Sequence, residues 1–261
     1  MNATAGKFLA LLSFAAALGA GAATPAWAQS AEAKEKPPLY TYEGFWAIPR
    51  QKWGDMAKNS AADQKTLDAA LASGTFIAYG NDENLVHQAE GYTHDDWWQS
   101  HSMAGLLNVL DTFYKAGSAT SPVLESATKH WDGMYVSRFY NWRAGSYKGA
   151  YTHVGTYLLK AAAPQNAVEM LSKSVFVPFF EKLLADGSIV EYEVDQETIH
   201  TESPDHFYLV YICSSAEGLD KVSAALRDAI RANSMISPTF ESMVDDTPHR
   251  DYLLRSNATY K

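Results

Sequence analysis

Apolar residues recur along this chain in two rhythms, one helical and one alternating. From Trp53 to Ser73 they fall at 53, 56, 57, 67, 70 and 71, which predicts a helix, and Gly74 follows where a C-cap needs positive φ. Ala167 to Asp186 predicts a second helix ending at Gly187, with Pro178 kinking or restarting it. Ala216–Ala232 carries Leu219, Val222, Leu226 and Ile230 on one face, and Met103–Lys115 is its match earlier in the chain. Aromatic and β-branched runs predict first strands at Phe45–Pro49 and Tyr151–Lys160. Second strands are predicted at Thr75–Gln88 and Ser188–Thr201, a buried strand at Phe207–Cys213, and closing strands at Met134–Trp142 and Asp251–Arg255.

These elements repeat. At an offset of 113, Leu71-Ala72, Gly74, Tyr79, Asp82 and His87 fall on Leu184-Ala185, Gly187, Tyr192, Asp195 and His200. Ser102, Gly105, Leu106 and Val109 then fall on Ser215, Gly218, Leu219 and Val222. That makes ten identities in the 39 positions from 71 to 109, where ordinary residue frequencies give about two or three. The sequence therefore reads as a duplication, with repeats at 39–144 and 148–261. Each repeat has the order β-α-β-β-α-β, the ferredoxin-like α+β unit. A sheet that carries both helices on one face must have its other face covered, and a second copy can cover it.

In element order and duplication the chain resembles the dimeric α/β-barrel superfamily, as an intramolecular pseudo-dimer. That superfamily includes small cofactor-independent monooxygenases, EthD-like proteins, and haem proteins of the chlorite dismutase and dye-decolourising peroxidase type. The resemblance implies a pocket between sheet and helices or between the two sheets. It implies no particular reaction, because the fold hosts many.

The N-terminus reads differently from the rest. Lys7, the apolar run Phe8 to Ala23, Pro25 and Ala26-Trp27-Ala28 make a secretory signal peptide over residues 1–28, which predicts a periplasmic or secreted protein beginning near Gln29. Residues 29–38 read as a solvated linker. The formal charge of −9 argues against nucleic acid or anionic lipid as partner. No later run is long enough to span a bilayer. The single Cys213 lies in an apolar run and reads as an inert buried thiol. The familiar hydrolase, nucleotide, zincin and dithiol motifs are absent from the sequence.

Candidate chemistry comes from comparing the repeats. Where the second has Phe207 to Cys213, the first has His94-Asp95-Asp96-Trp97-Trp98-Gln99-Ser100, followed by His101. As a strand, this puts His94, Asp96, Trp98 and Ser100 on one face and Asp95, Trp97, Gln99 and His101 on the other. His94, Asp96 and His101 are the catalytic candidates, with His94 and Asp96 as a proton-relay pair or two metal ligands. Trp97 and Trp98 are candidate walls for a ligand. The alternative is a helix N-cap at Thr93-His94-Asp95-Asp96, its acids facing solvent. His153, beside the small Gly155, is a further ligand-binding candidate. His87 and His200 occupy equivalent positions, as a pair brought together or as separate hydrogen-bonders. Arg138, which recurs as Arg255, fits a carboxylate clamp or an ion pair. No cofactor is called for, and a metal or haem on one of the eight histidines stays open. The expected partner is a small organic ligand, aromatic or polyketide-like, and self-association into a homo-oligomer is left open. An enzyme using His or Asp proton transfer, a carrier module and a structural protein all fit the sequence.

Overall fold

The computed structural model describes residues 33–89, 91–201 and 204–261. The expected leader, 1–28, and residues 29–32 of the expected linker lie outside the described residues. Residues 35–38 run along a strand near the chain's middle. There the Lys36 amide donates to the Arg138 carbonyl at 2.8 Å, and the Tyr140 hydroxyl donates to the Pro37 carbonyl at 2.8 Å.

The elements run β1 (Leu39–Trp46), α1 (Trp53–Ser73), β2 (Ala78–Asn84), β3 (His94–Ser100), α2 (Met103–Ala116), α3 (Pro122–Glu125) and β4 (His130–Trp142). They continue with β5 (Gly145–Leu159), α4 (Ala167–Leu171), α5 (Val177–Asp186), β6 (Glu191–Glu197), β7 (His206–Cys213), α6 (Ala216–Ala232), α7 (Ile236–Met243) and β8 (Val244–Tyr260). All strand pairings are antiparallel. The strands close into a barrel in the order β1-β3-β2-β8-β5-β7-β6-β4. Each half contributes the same local order, β4-β1-β3-β2 and β8-β5-β7-β6, joined at the β2–β8 and β4–β6 seams. This architecture is consistent with two β-α-β-β-α-β halves.

The helices lie outside the barrel. Over the first half, Phe76, Trp98, Leu106, Val109 and Phe113 form a core between sheet and helices. Over the second, Phe176, Phe180, Leu183, Phe207 and Val222 do the same. Equivalent positions make equivalent joints. Gly74 and Gly187 end their helices at φ 81° and 80°, in the left-handed region that favours glycine. A Cβ on Gly105 would lie 2.9 Å from Ser100 Oγ, and one on Gly218 would lie 2.7 Å from the Ser188 carbonyl. In both halves the missing side chain lets the second helix sit down on the sheet.

The strand boundaries differ from those read off the sequence. The first strands begin earlier, at Leu39 and Gly145, because they pair along their length with β4 and β8. The second strands are shorter than expected, Ala78–Asn84 and Glu191–Glu197. The closing strand β8 is far longer than Asp251–Arg255 because it pairs with both β2 and β5. The helix over 167–186 is interrupted by a π-turn at Ser172–Phe176, immediately before Val177-Pro178. That wider turn accommodates the proline, which has no N–H to give the preceding turn. Residues 94–100 are strand. The next helix starts at Met103 with Ser102 as its cap, its hydroxyl accepting from the Gly105 amide at 3.2 Å, so the N-cap alternative at Thr93–Asp96 is set aside. No helix among the described residues is long and apolar enough to cross a membrane.

The Gly218 joint gives a stability test. Gly218→Ala forces a methyl against the Ser188 backbone carbonyl, which cannot swing aside, and is expected to cost about 1–3 kcal/mol. Urea denaturation of the two proteins measures it, and equal midpoints would contradict this account of the joint.

Candidate functional site

Because β3 is a strand in a closed barrel, its two faces meet different surroundings. Asp95, Trp97 and Gln99 point into the barrel, and Asp96 and Trp98 point out under the helices. A cavity lies on each side of the sheet.

The outer cavity, about 340 Å³, sits between the first half's sheet and its helices. Its floor is the Tyr42–Trp98 stack, with centroids 4.6 Å apart and planes at 17°. Leu67 of α1 and Leu110 and Phe113 of α2 form apolar walls. The polar residues gather at Asn59, Ser60, Asp63 and Asp96. The Ser60 hydroxyl donates to Asp96 Oδ1 at 3.4 Å. Burial pushes the Asp96 carboxyl up to about 7, with repulsion from Asp63 and Asp82 adding to it and Ser60 opposing. Burial also raises Asp63. At the 113 offset the second half has Phe176 in place of Asp63, Phe180 in place of Leu67 and Leu209 in place of Asp96, all in or against its apolar core. The polar outer cavity is a property of the first half.

The inner cavity, about 500 Å³, occupies the barrel itself. One end is plugged by Trp97, Ala150, Val190, Ile212 and Tyr260. Phe45, Tyr92, Tyr135, Tyr208 and Tyr252 form an aromatic collar towards the other end, where exposed Thr201, Pro248 and Arg250 mark the mouth. Between plug and collar stand Glu43, Asp82, Asp95, Glu191, Glu193 and Asp195. Glu191 is 1 % exposed, no N–H or hydroxyl donor reaches its carboxyl, and the polar neighbour it meets is another acid, Glu193. Burial is the leading cause that raises all six carboxyls, Asp82 to about 7. Trp97 Nε1 donates to Asp82 at 3.3 Å, and the Gln99 amide donates to Glu193.

The sequence candidates scatter across these surroundings. Asp96 and Trp98 meet in the outer cavity, whereas Trp97 lies inside the barrel. No hydrogen bond joins His94 to Asp96. His94 Nδ1 instead meets Thr93 Oγ1 at 3.0 Å, its ring stands edge-on to Trp53, and burial lowers it to about 4. His101 is exposed past the strand end and bonds the Pro38 carbonyl at 2.8 Å. His87 and His200 are exposed in the loops after β2 and β6, and the His87 ring lies 5.1 Å from Trp53. His153 stacks on Tyr211 at 4.8 Å and reaches Asp251 at 3.3 Å. Arg138 is exposed and pairs with Glu35 at 3.7 Å. No three His, Cys, Asp or Glu among the described residues converge as metal ligands. The histidines that touch the cavities are His130, at the rim of the outer one and stacked on Trp46, and His206 at the mouth of the inner one.

The acids of β6 were missed in the sequence. Their signal is the alternation Glu191-Tyr192-Glu193-Val194-Asp195, which reads equally well as a water-facing strand edge.

No protein-family profile matches the sequence, and no curated protein matches it. Solved structures do. A provisionally named monooxygenase of Lactobacillus acidophilus NCFM is 12% identical with a TM-score of 0.63, over 86% of this chain and 97% of its own. One from Fusobacterium nucleatum subsp. nucleatum ATCC 25586 is 9% identical with a TM-score of 0.61, over 86% and 94%. An anthrone oxidase-like protein is 13% identical with a TM-score of 0.57, over 87% and 94%. The chain has the dimeric α/β-barrel fold. At these identities the likeness concerns the backbone, and the dimeric α/β-barrel scaffold leaves the chemistry to the side chains of each cavity.

The raised carboxyls set the pH dependence of stability. A folded acid whose pKa lies above its unfolded value stabilises most when protonated, and that contribution is lost as pH rises towards the folded pKa. Asp82 and Asp96 each act between their ordinary 3.8 and about 7, at about 1.4 kcal/mol per pH unit at most. His94, lowered to about 4 from 6.5, opposes them below pH 6.5. The ligand-free protein should therefore melt at a lower temperature at pH 7.5 than at pH 5.5, as calorimetry would record. A rising melting temperature over that window would contradict the buried-acid arrangement.

Proposed function

We propose that this chain is a small-molecule enzyme of the dimeric α/β-barrel kind, in which Asp96 transfers a proton to or from a planar, conjugated organic substrate held in the outer cavity. The observation that carries the reading is the Asp96 carboxyl, held near pH 7 on the wall of an aromatic cavity that the other half fills with apolar core. A general base works best when its pKa lies near the working pH. The Tyr42–Trp98 stack offers a flat apolar surface for the substrate ring.

In this reading the Asp96 carboxylate takes a proton from an acidic C–H or O–H of the substrate. The electron pair left behind spreads into the substrate's conjugated system. Burial, with Asp63 adding to it and Ser60 opposing, holds the Asp96 carboxyl where it can both accept and return that proton. His94, neutral and bonded to Thr93, takes no part in the transfer. The names of the structural relatives, monooxygenase and anthrone oxidase-like, favour an aromatic carbon acid as substrate and dioxygen as the acceptor of its electrons. Export to the periplasm or beyond belongs to the same proposal and rests on the leader pattern at residues 1–28. So does descent from a duplicated unit, which rests on the 113-residue offset.

The test uses anthrone as a probe carbon acid, in deuterated buffer without oxygen. Wild-type protein should speed exchange of the acidic C–H above the buffer rate, rising with pH through a midpoint near 7. Asp96→Asn should slow exchange by about 100-fold or more while still quenching tryptophan fluorescence on binding. An Asp96→Asn protein that exchanges at the wild-type rate would sink the assignment.

A further inference from the structure

The barrel interior is a second cavity, separated from Asp96 by the sheet, and its chemistry differs. On β6 the inward positions are Glu191, Glu193, Asp195 and Glu197 in succession. Every second residue of a strand is roughly 7 Å from the last, so these carboxyls form an evenly spaced row rather than a point. Glu43 of β1, Asp82 of β2 and Asp132 of β4 line the cavity from the other half, and Asp95 of β3 lies fully buried against Asp82. The remaining strands add no second row. β5 contributes Thr152, Val154 and Thr156; β7 contributes Tyr208, Val210 and Ile212; besides Asp132, β4 contributes Trp131 and Tyr135. From β8 come Tyr252, Leu254 and Tyr260, with Arg250 exposed at the mouth. Among the described residues Arg250 and His206, both at the open end, are the basic groups that line the cavity.

A non-acidic group points the same way. Gln99 is 2 % exposed and spends its amide N–H groups on Glu193 and, at 3.4 Å, on Thr41, which leaves its Oε1 without a partner in the cavity wall. Both oxygens of Glu191 and Asp95, and one each of Asp82, Glu193 and Asp195, meet no N–H or hydroxyl donor, so in the empty barrel these acids have only one another's carboxyl protons to share. A buried polar atom without a partner costs on the order of 1–3 kcal/mol, more for a charged one. So many acceptors around one space fit an occupant that brings donors and positive charge.

Two features select the occupant. No three of these side chains converge as metal ligands, which disfavours a bare metal ion. The acid row leads into the collar of Phe45, Tyr92, Tyr135, Tyr208 and Tyr252, where ring faces attract ammonium groups and cover methylenes. We propose that the barrel binds an elongated organic polyamine, its ammonium groups seated along the β6 acids and Gln99 Oε1 and its methylenes against the collar. Aminopropyl or aminobutyl links give a spacing comparable to that of the acid row, and the mouth admits the ligand lengthwise.

The test is isothermal titration with spermidine at pH 7.5, in two buffers of different ionisation enthalpy. Spermidine should bind one to one and release protons from the buried carboxyls, visible as a buffer-dependent heat. At pH 5 the affinity should fall at least tenfold. Glu191→Gln and Glu193→Gln keep the shape while removing the charge, and they relieve the free barrel of buried acids, so both should stay folded. Each should weaken spermidine at least tenfold and reduce proton release, and putrescine should bind the wild type less tightly than spermidine. Calcium that binds as tightly as spermidine overturns the proposal. So does absence of binding by folded wild-type protein, or undiminished binding by both Gln variants. The outer cavity and Asp96 play no part in these readouts, so failure of the proton-transfer reading leaves them unchanged.

Discussion

Closure of the sheet is the constraint on which the rest depends. Once the strand row joins at β4–β6 and β2–β8, every strand has an inside that is sealed from bulk water except at the mouth. Strand periodicity then leaves no freedom, because each residue is either inside the barrel or under the helices. Trp97 and Trp98 are neighbours in sequence, yet one helps close the barrel's plugged end while the other floors the outer cavity. The same rule divides Asp95 from Asp96 and gives them different partners.

The two halves use one backbone plan for different ends. In the second, Phe176, Phe180, Phe207 and Tyr192 fill the space between sheet and helices, with Phe180 stacked on Tyr192 at 5.2 Å. Volume that is core there is cavity in the first half, where Asp63 and Asp96 replace Phe176 and Leu209. Inside the barrel the asymmetry reverses. The second half contributes Glu191 and Glu193 where the first has Ala78 and Gly80. The second half thus keeps its outer face apolar and turns its acids inward, whereas the first half carries acids on both faces.

Much of the fold was legible because its signals are local. Gly74 and Gly187 mark helix ends through backbone sterics alone, and Ala216–Ala232 shows its apolar stripe within its own residues. Residues 94–100 were ambiguous because two acids after a threonine satisfy a helix cap as well as a strand; the decision came from pairing with β1 and β2, far off in sequence. The site was less legible for a related reason. His94, Asp96 and His101 are close along the chain, yet the pleat, a buried threonine contact and the strand's end send them to separate surroundings. The row at Glu191 to Glu197 looks like an ordinary wet strand face, and only closure of the barrel, which no short window contains, turns it inward.

The long strand β8 has a consequence for how the molecule assembles. It zips to β5 along most of its length, and its last residues also join β2, where Asn257 donates to Asn81 across 176 positions of chain. That seam cannot form until the C-terminus has emerged and the first half has been shaped. Contacts so distant in sequence make folding slow. Until the seam shuts, the interior carboxyls remain hydrated, so their removal from water falls in the closing step rather than along the way. The rate of ring closure should therefore carry an electrostatic barrier of its own, separate from the packing of either half, and a cation that waits inside the half-open ring would act as a folding template as well as a ligand.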